Sequence, residues 1–191
     1  VVASLIAFVE ERGLENFVLL GHSFGGTVVQ KAAEVLSDRI RRLVFWNAFV
    51  LEPGTSLAQQ VPPLLQAMFD SLAEASGDGT LMLPFPLFRD AFINDGDRDL
   101  ARRVYNGLYP ENAGLFQEKL DFPRFFSLPL PKSYLYSRDD HSLPHGDATG
   151  WYPRFGNRLG LFRLVTMAGS HLALFTRPTE LAERMVEAGR D

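Results

Sequence analysis

One serine, one acid and one histidine occupy positions where their chemistries could combine. Ser23 sits in Gly21-His22-Ser23-Phe24-Gly25, a G-x-S-x-G motif between an apolar, strand-like run at residues 16–20 and a helix-like run at 27–36. A strand that reverses at once into a helix holds the junction residue in a strained backbone conformation and exposes its Oγ at the helix N-terminus. Gly21 and Gly25 are expected there because the flanking positions pass close to neighbouring backbone, and the Phe24 N–H is left free to face a developing oxyanion. A serine hydroxyl needs a base to take its proton, and a histidine can accept that proton near neutral pH and hand it on. A carboxylate then fixes the imidazole tautomer and stabilises the imidazolium.

Asp140 follows a strand-like run at 132–136, and His171 follows another at 162–166. In an open parallel sheet the loops at the carboxyl ends of the strands converge on one edge, so Ser23, Asp140 and His171 are expected to meet there. Asp139 is a rival for the acid, since either aspartate could point inward. His141 and His145 suit the base less well, because they lie beside the acid rather than after a strand of their own. His22 is expected to pack or to line the pocket.

The elements needed to position these residues are legible in the hydrophobic pattern. Val2, Leu5, Ile6 and Val9 recur at helical spacing, with Gly13 as a stop. Residues 16–20 and 40–46 read as strands buried on both faces, joined through the helix at 27–36 in a right-handed crossover. Residues 52–126 change character: prolines, glycines and phenylalanines abound, with helical patterns near 61–72 and 97–108 and no strand. Such an insertion is expected to form a cap, dividing the chain into core (1–51), cap (52–126) and core (127–191). Pro178 sits where a first helical turn accepts it, and Leu181, Met185 and Ala188 give a closing helix its buried stripe.

Composition narrows the rest. The 191 residues are 46% hydrophobic, enough for one domain with a real core. A net charge of −4 without a basic cluster points away from nucleic acid, and no apolar run approaches membrane-spanning length. Without cysteine there is no disulfide or thiol nucleophile, which fits the cytoplasm. The chain starts at Val1 inside a helical pattern, so a signal peptide cannot be judged, and a longer parent protein is expected.

Four segments carry a specific resemblance: Gly21-His22-Ser23-Phe24-Gly25-Gly26, residues 43–54 (LVFWNAFVLEPG), residues 137–144, and Ala168-Gly169-Ser170-His171 followed by Thr176-Arg177-Pro178. Together they resemble the α/β-hydrolase group that contains plant methyl-ester esterases and hydroxynitrile lyases. The resemblance implies an α/β fold: a mostly parallel sheet flanked by helices, with a helical cap inserted between strands. It places the acid at Asp140 and implies a Ser23–Asp140–His171 triad with Phe24 in the oxyanion hole. It also implies an esterase with no cofactor and no metal. The phenylalanines of 52–126 favour a small or medium hydrophobic ester as substrate, met by an apolar pocket that His22 and Leu172 are expected to help line. Lyases of the group tend to carry lysine after the histidine, and Leu172 leans toward an esterase. A lyase, a carbon–carbon bond hydrolase and a non-turnover binding protein remain the alternatives. The family's first strands, and a histidine-glycine loop supplying a second oxyanion donor, do not precede Val1. This piece is therefore expected to leave one sheet edge uncovered.

Overall fold

Alternating apolar residues on two sides of a strand call for a cover on each side, and the chain builds both. The structure, a computed structural model, describes all 191 residues. The first helix, α1 (Val2–Glu11), turns at Gly13 into β1 (Phe17–Ser23); α2 (Gly25–Leu36) then carries the chain back to β2 (Ile40–Ala48). A long segment follows, holding α3 (Pro63–Ser76), β3 (Thr80–Leu81), α4 (Phe85–Leu87), a π-helical turn (Phe88–Phe92), α5 (Arg98–Tyr105), β4 (Glu111–Asn112) and α6 (Gly114–Gln117). The main sheet resumes with β5 (Lys132–Ser137), and α7 (Arg154–Arg158) leads to β6 (Arg163–Met167); α8 (Ala173–Thr176) and α9 (Pro178–Gly189) close the chain.

The four long strands pair in parallel in the order β1-β2-β5-β6, with Leu20 opposite Val44, Phe45 opposite Tyr134 and Leu135 opposite Val165. Strand periodicity sorts the two faces. Leu43, Phe45 and Tyr134 pack with Val9, Val29 and Ala33 from α1 and α2; Val44, Trp46, Leu135 and Val165 pack with Leu181 and Ala188 from α9. With helices on both sides, the middle of β2, Leu43 to Trp46, reads as a continuous apolar run rather than an alternating one. No helix is long and apolar enough to cross a membrane.

Three expectations change. β1 is half-buried along most of its length instead of covered on both faces, because it lies at the edge of the sheet. The segment expected to lack strands contains one antiparallel pair, β3 with β4, whose two-residue strands are too short to show a period of two. The third correction concerns the glycines. A Cβ on Gly21 would lie 2.5 Å from the Gly25 carbonyl oxygen, as the motif requires, but a Cβ on Gly25 would meet nothing within 4 Å. The second tight contact belongs to Gly26, where a Cβ would overlap the Phe49 carbonyl just beyond β2.

Gly26→Ala should therefore cost about 1–3 kcal/mol through overpacking, whereas Gly25→Ala should stay within about 0.5 kcal/mol of the parent. Urea unfolding of both variants checks this, and the reverse ranking would contradict the packing described.

Candidate active site

Ser23 ends β1 with φ at +53°, a left-handed conformation unusual for a residue with a side chain, and Phe24 returns to helical angles at the head of α2. Strain of this kind costs about 1–3 kcal/mol and persists only where the surroundings enforce it. Here the Ser23 carbonyl is held by the Phe49 N–H at 3.1 Å, and Gly21 and Gly26 let α2 close onto β1 and the end of β2. The first turn of α2 leaves its N–H groups without helical acceptors, beside the serine.

The end of β2 prepares the next component. His22 pairs with Trp46 and Ser23 with Ala48, so Asn47 is bulged out of register, with φ at +33°. A bulge re-aims a side chain. The Asn47 amide turns to the end of β5: its Nδ2 donates to the Ser137 carbonyl (3.0 Å) and to Asp140 Oδ2 (2.6 Å), and its Oδ1 accepts from the Ser137 N–H (2.8 Å).

Asp140 is 2% exposed, and both its oxygens are fully engaged. Oδ1 accepts from the Ser142 N–H (2.8 Å) and the Ser142 hydroxyl (2.5 Å); Oδ2 accepts from Asn47 and from His171 Nδ1 (2.6 Å). Burial alone would raise the carboxyl's pKa, but the His171 ring and the hydrogen bonds from His171, Ser142 and Asn47 outweigh it and hold it at about 2. An ionised carboxylate only accepts, so Nδ1 of His171 carries the proton of this bond.

Aromatic rings hold the His171 imidazole. Trp151 stacks on it at 5.2 Å between centroids, Phe92 meets it edge-on at 5.2 Å, and His22 lies tilted at 4.4 Å. His22 in turn stacks on Trp46 at 4.0 Å. Ser23 and His171 both line a cavity of about 170 Å³ between the sheet edge and the long segment. Of its fifteen lining residues twelve are hydrophobic, among them Phe24, Phe49, Phe69, Phe92, Phe116 and Trp151; Ser23, Ser142 and His171 are the three polar ones. An apolar cavity with a hydroxyl, an imidazole backed by a carboxylate, and helix N–H groups at one wall can carry out proton-assisted attack on a neutral carbonyl.

The structure thus brings Ser23, Phe24, Asp140 and His171 to one place, sets the His22 ring against His171 outside the cavity lining, and holds the other expected residues apart. Asp139 is exposed, and its carboxylate accepts from the Gly169 N–H (2.8 Å), tying the acid loop to the histidine loop. His141 and His145 stack edge-on with each other outside the cavity wall. His22 lies behind His171 rather than at the cavity. Leu172 packs toward Phe88 and Ile93 while its N–H donates to the Phe92 carbonyl (2.9 Å), so neither His22 nor Leu172 is a lining residue. Asn47, Ser142 and Trp151 were missed. Asn47 could have been found as the polar residue ending an apolar strand, the same signal that marks Ser23. Ser142 and Trp151 carry no sequence signal of their own.

Comparison with known proteins bears on the family and the fold. A family model described as the alpha/beta hydrolase family matches residues 1–184. A carbendazim-hydrolysing esterase from Nocardioides sp. (strain SG-4G) is 35% identical over 72 residues, covering 36% of this chain and 30% of that one. Methylesterase 8 of Arabidopsis thaliana is 25% identical over 183 residues, covering 90% of this chain and 63% of its own. The chain therefore spans less than two thirds of either relative. Among solved structures, an extracellular alpha/beta-hydrolase from a Paenibacillus species superposes with a TM-score of 0.96 at 42% identity, over 100% of this chain and 78% of that one. It is described as sharing structural and functional homology with tobacco salicylic acid binding protein 2. Polyneuridine aldehyde esterase superposes with a TM-score of 0.67 at 19% identity, over 91% and 71%, a likeness of fold.

A half-buried imidazole and a buried carboxylate make acid the weak side of this arrangement. Burial, followed by the neighbouring His171, holds the His22 pKa well below 6.5. The unfolded chain thus binds more protons, and stability is lost as pH falls through about 6.5. Asp140 is depressed from 3.8 to about 2, so its contribution, about 2 kcal/mol, is complete above about pH 5 and is lost as pH falls toward 2. Urea midpoints between pH 8 and 3 should fall in these two stages, and His22→Phe should flatten the first while leaving the second.

Proposed function

Since the chain belongs to the alpha/beta hydrolase family, we propose that it supplies the catalytic centre of a serine esterase acting on neutral carboxylic esters with small or medium hydrophobic groups. Ser23 Oγ attacks the ester carbonyl while His171 Nε2 takes its proton; the carbonyl oxygen becomes an oxyanion against the Phe24 N–H. His171, now an imidazolium stabilised by Asp140, returns the proton to the departing alkoxide, leaving an acyl group on Ser23. Water then repeats the sequence and releases the acid. Asp140 holds the tautomer and needs no proton of its own.

The observation that carries this reading is the cavity wall: its polar side chains, Ser23, Ser142 and His171, all lie at the triad, and every other lining residue is hydrophobic. Such a wall favours a substrate polar only at its reacting bond. The esterase names of the curated relatives point the same way.

A fluorophosphonate probe followed by peptide mapping tests the proposal, because such probes react with a serine only when a base and an oxyanion site activate it. Label should fall on Ser23 and vanish in His171→Ala. Asp140→Asn, which stabilises the wrong tautomer, should lower kcat by about 10⁴-fold. A folded protein that takes no label at Ser23 would overturn the esterase reading. A non-turnover binding role, suggested by the binding protein named for the Paenibacillus structure, would instead show a single slow turnover with the ligand retained. Release of cyanide from a cyanohydrin, without ester turnover, would favour a lyase.

A further inference from the structure

Ser142 stands where the buried carboxylate, the imidazole and an indole meet. Its hydroxyl donates to Asp140 Oδ1 (2.5 Å), lies 3.1 Å from His171 Nδ1, and accepts from Trp151 Nε1 (3.0 Å). A hydroxyl has one proton to give and two lone pairs to fill. Asp140 is ionised and only accepts, so it takes the proton. The indole N–H only donates and fills one lone pair; the Nδ1–H, whose main partner is Asp140 Oδ2 at 2.6 Å, shares itself with the other. The hydrogen-bonding capacity of Ser142 is therefore full. Although it lines the cavity, it has nothing left to offer a substrate.

We propose that Ser142 is a positioning residue for the Asp140–His171 pair, acting on the imidazole from the carboxylate side and, through Trp151, from the ring face. It anchors Oδ1 twice, by hydroxyl and by backbone N–H, which leaves Oδ2 facing Nδ1 and prevents the carboxylate from turning. It also satisfies the buried indole N–H, which keeps Trp151 stacked on His171 at an interplanar angle of 20°. Without the hydroxyl, one carboxylate oxygen loses a strong donor and the indole is left with a buried, unpaired N–H. Both errors act on the orientation of the ring that must meet Ser23.

The kinetic consequence rests on the serine-esterase reading; the geometric one does not. The test is the proton NMR resonance of His171 Nδ1–H, together with steady-state hydrolysis of an activated aryl acetate, in the full chain and in Ser142→Ala and Ser142→Thr. Ser142→Ala should move the resonance upfield or lose it to exchange, and should lower kcat about 10- to 100-fold with KM within about twofold. Ser142→Thr, which keeps the hydroxyl, should recover the resonance and most of kcat. A resonance and kcat unchanged in Ser142→Ala would overturn the proposal, and so would a rise in KM alone, the mark of a substrate contact. If the parent hydrolyses no ester, the esterase reading fails, and the resonance alone decides the role of Ser142. If Ser142→Ala does not fold, Trp151→Phe keeps a ring against His171 while removing one bond to Ser142; it should broaden the resonance, and an unaltered signal would overturn the proposal.

Discussion

A carboxylate with almost no exposed surface cannot stay ionised unless the protein replaces the water it has lost, and Asp140 sets that condition for everything around it. Isolated, its charge would be prohibitively costly; paired but under-bonded, it would turn or take a proton. The structure answers with four donors from four groups: the imidazole of His171, the amide of Asn47, and the hydroxyl and backbone N–H of Ser142. The three residues that supply them each constrain a different part of the chain. Asn47 requires the bulge that ends β2, Ser142 requires the tight turn after Asp140, and His171 requires the loop after β6. The charge that orients the imidazole also fastens three strand ends together.

Around this centre the long segment between β2 and β5 adds a second set of ties. The Phe92 carbonyl accepts from the Leu172 N–H, Asn94 Nδ2 donates to the Asp139 carbonyl (2.9 Å), and Asp95 Oδ2 accepts from Thr176 Oγ1 (2.9 Å) and Arg177 Nε (3.3 Å). One short stretch, next to the π-helical turn at Phe88–Phe92, is thereby stitched to both the acid loop and the histidine loop. The same stretch places the Phe92 ring against His171 and in the cavity wall. Wall and polar centre are consequently one assembly.

The parts of this design that obey strong local rules were legible in the sequence. A strand–serine–helix junction has few ways to be built, and strand ends in a parallel sheet share an edge, so the convergence of Ser23, Asp140 and His171 follows from order and pattern. Choices between neighbours were less accessible. The motif points to Gly25, and only the closeness of Phe49, a residue from another strand end, identifies its neighbour Gly26 as the one that cannot bear a side chain. Asp139 and Asp140 differ by one position; the family resemblance pointed to Asp140, and the turn that carries Ser142 puts it inward. Leu172 follows His171 in sequence, but the backbone bond to Phe92 turns its side chain away from the cavity. Asn47 and Trp151 act through contacts with residues about ninety and twenty positions distant, and no local pattern encodes such partners.

A serine esterase built on this centre must form a covalent acyl intermediate on Ser23. Rapid mixing of the protein with an activated aryl ester, acid quenching within milliseconds and intact-mass analysis would measure it. The expected result is a mass increase of one acyl group per chain, mapped to Ser23, appearing with a burst of the phenol and decaying at the rate of steady turnover. Ester hydrolysis without any acylated Ser23 would contradict it, since the imidazole would then be activating water and the strained serine would have no chemical purpose.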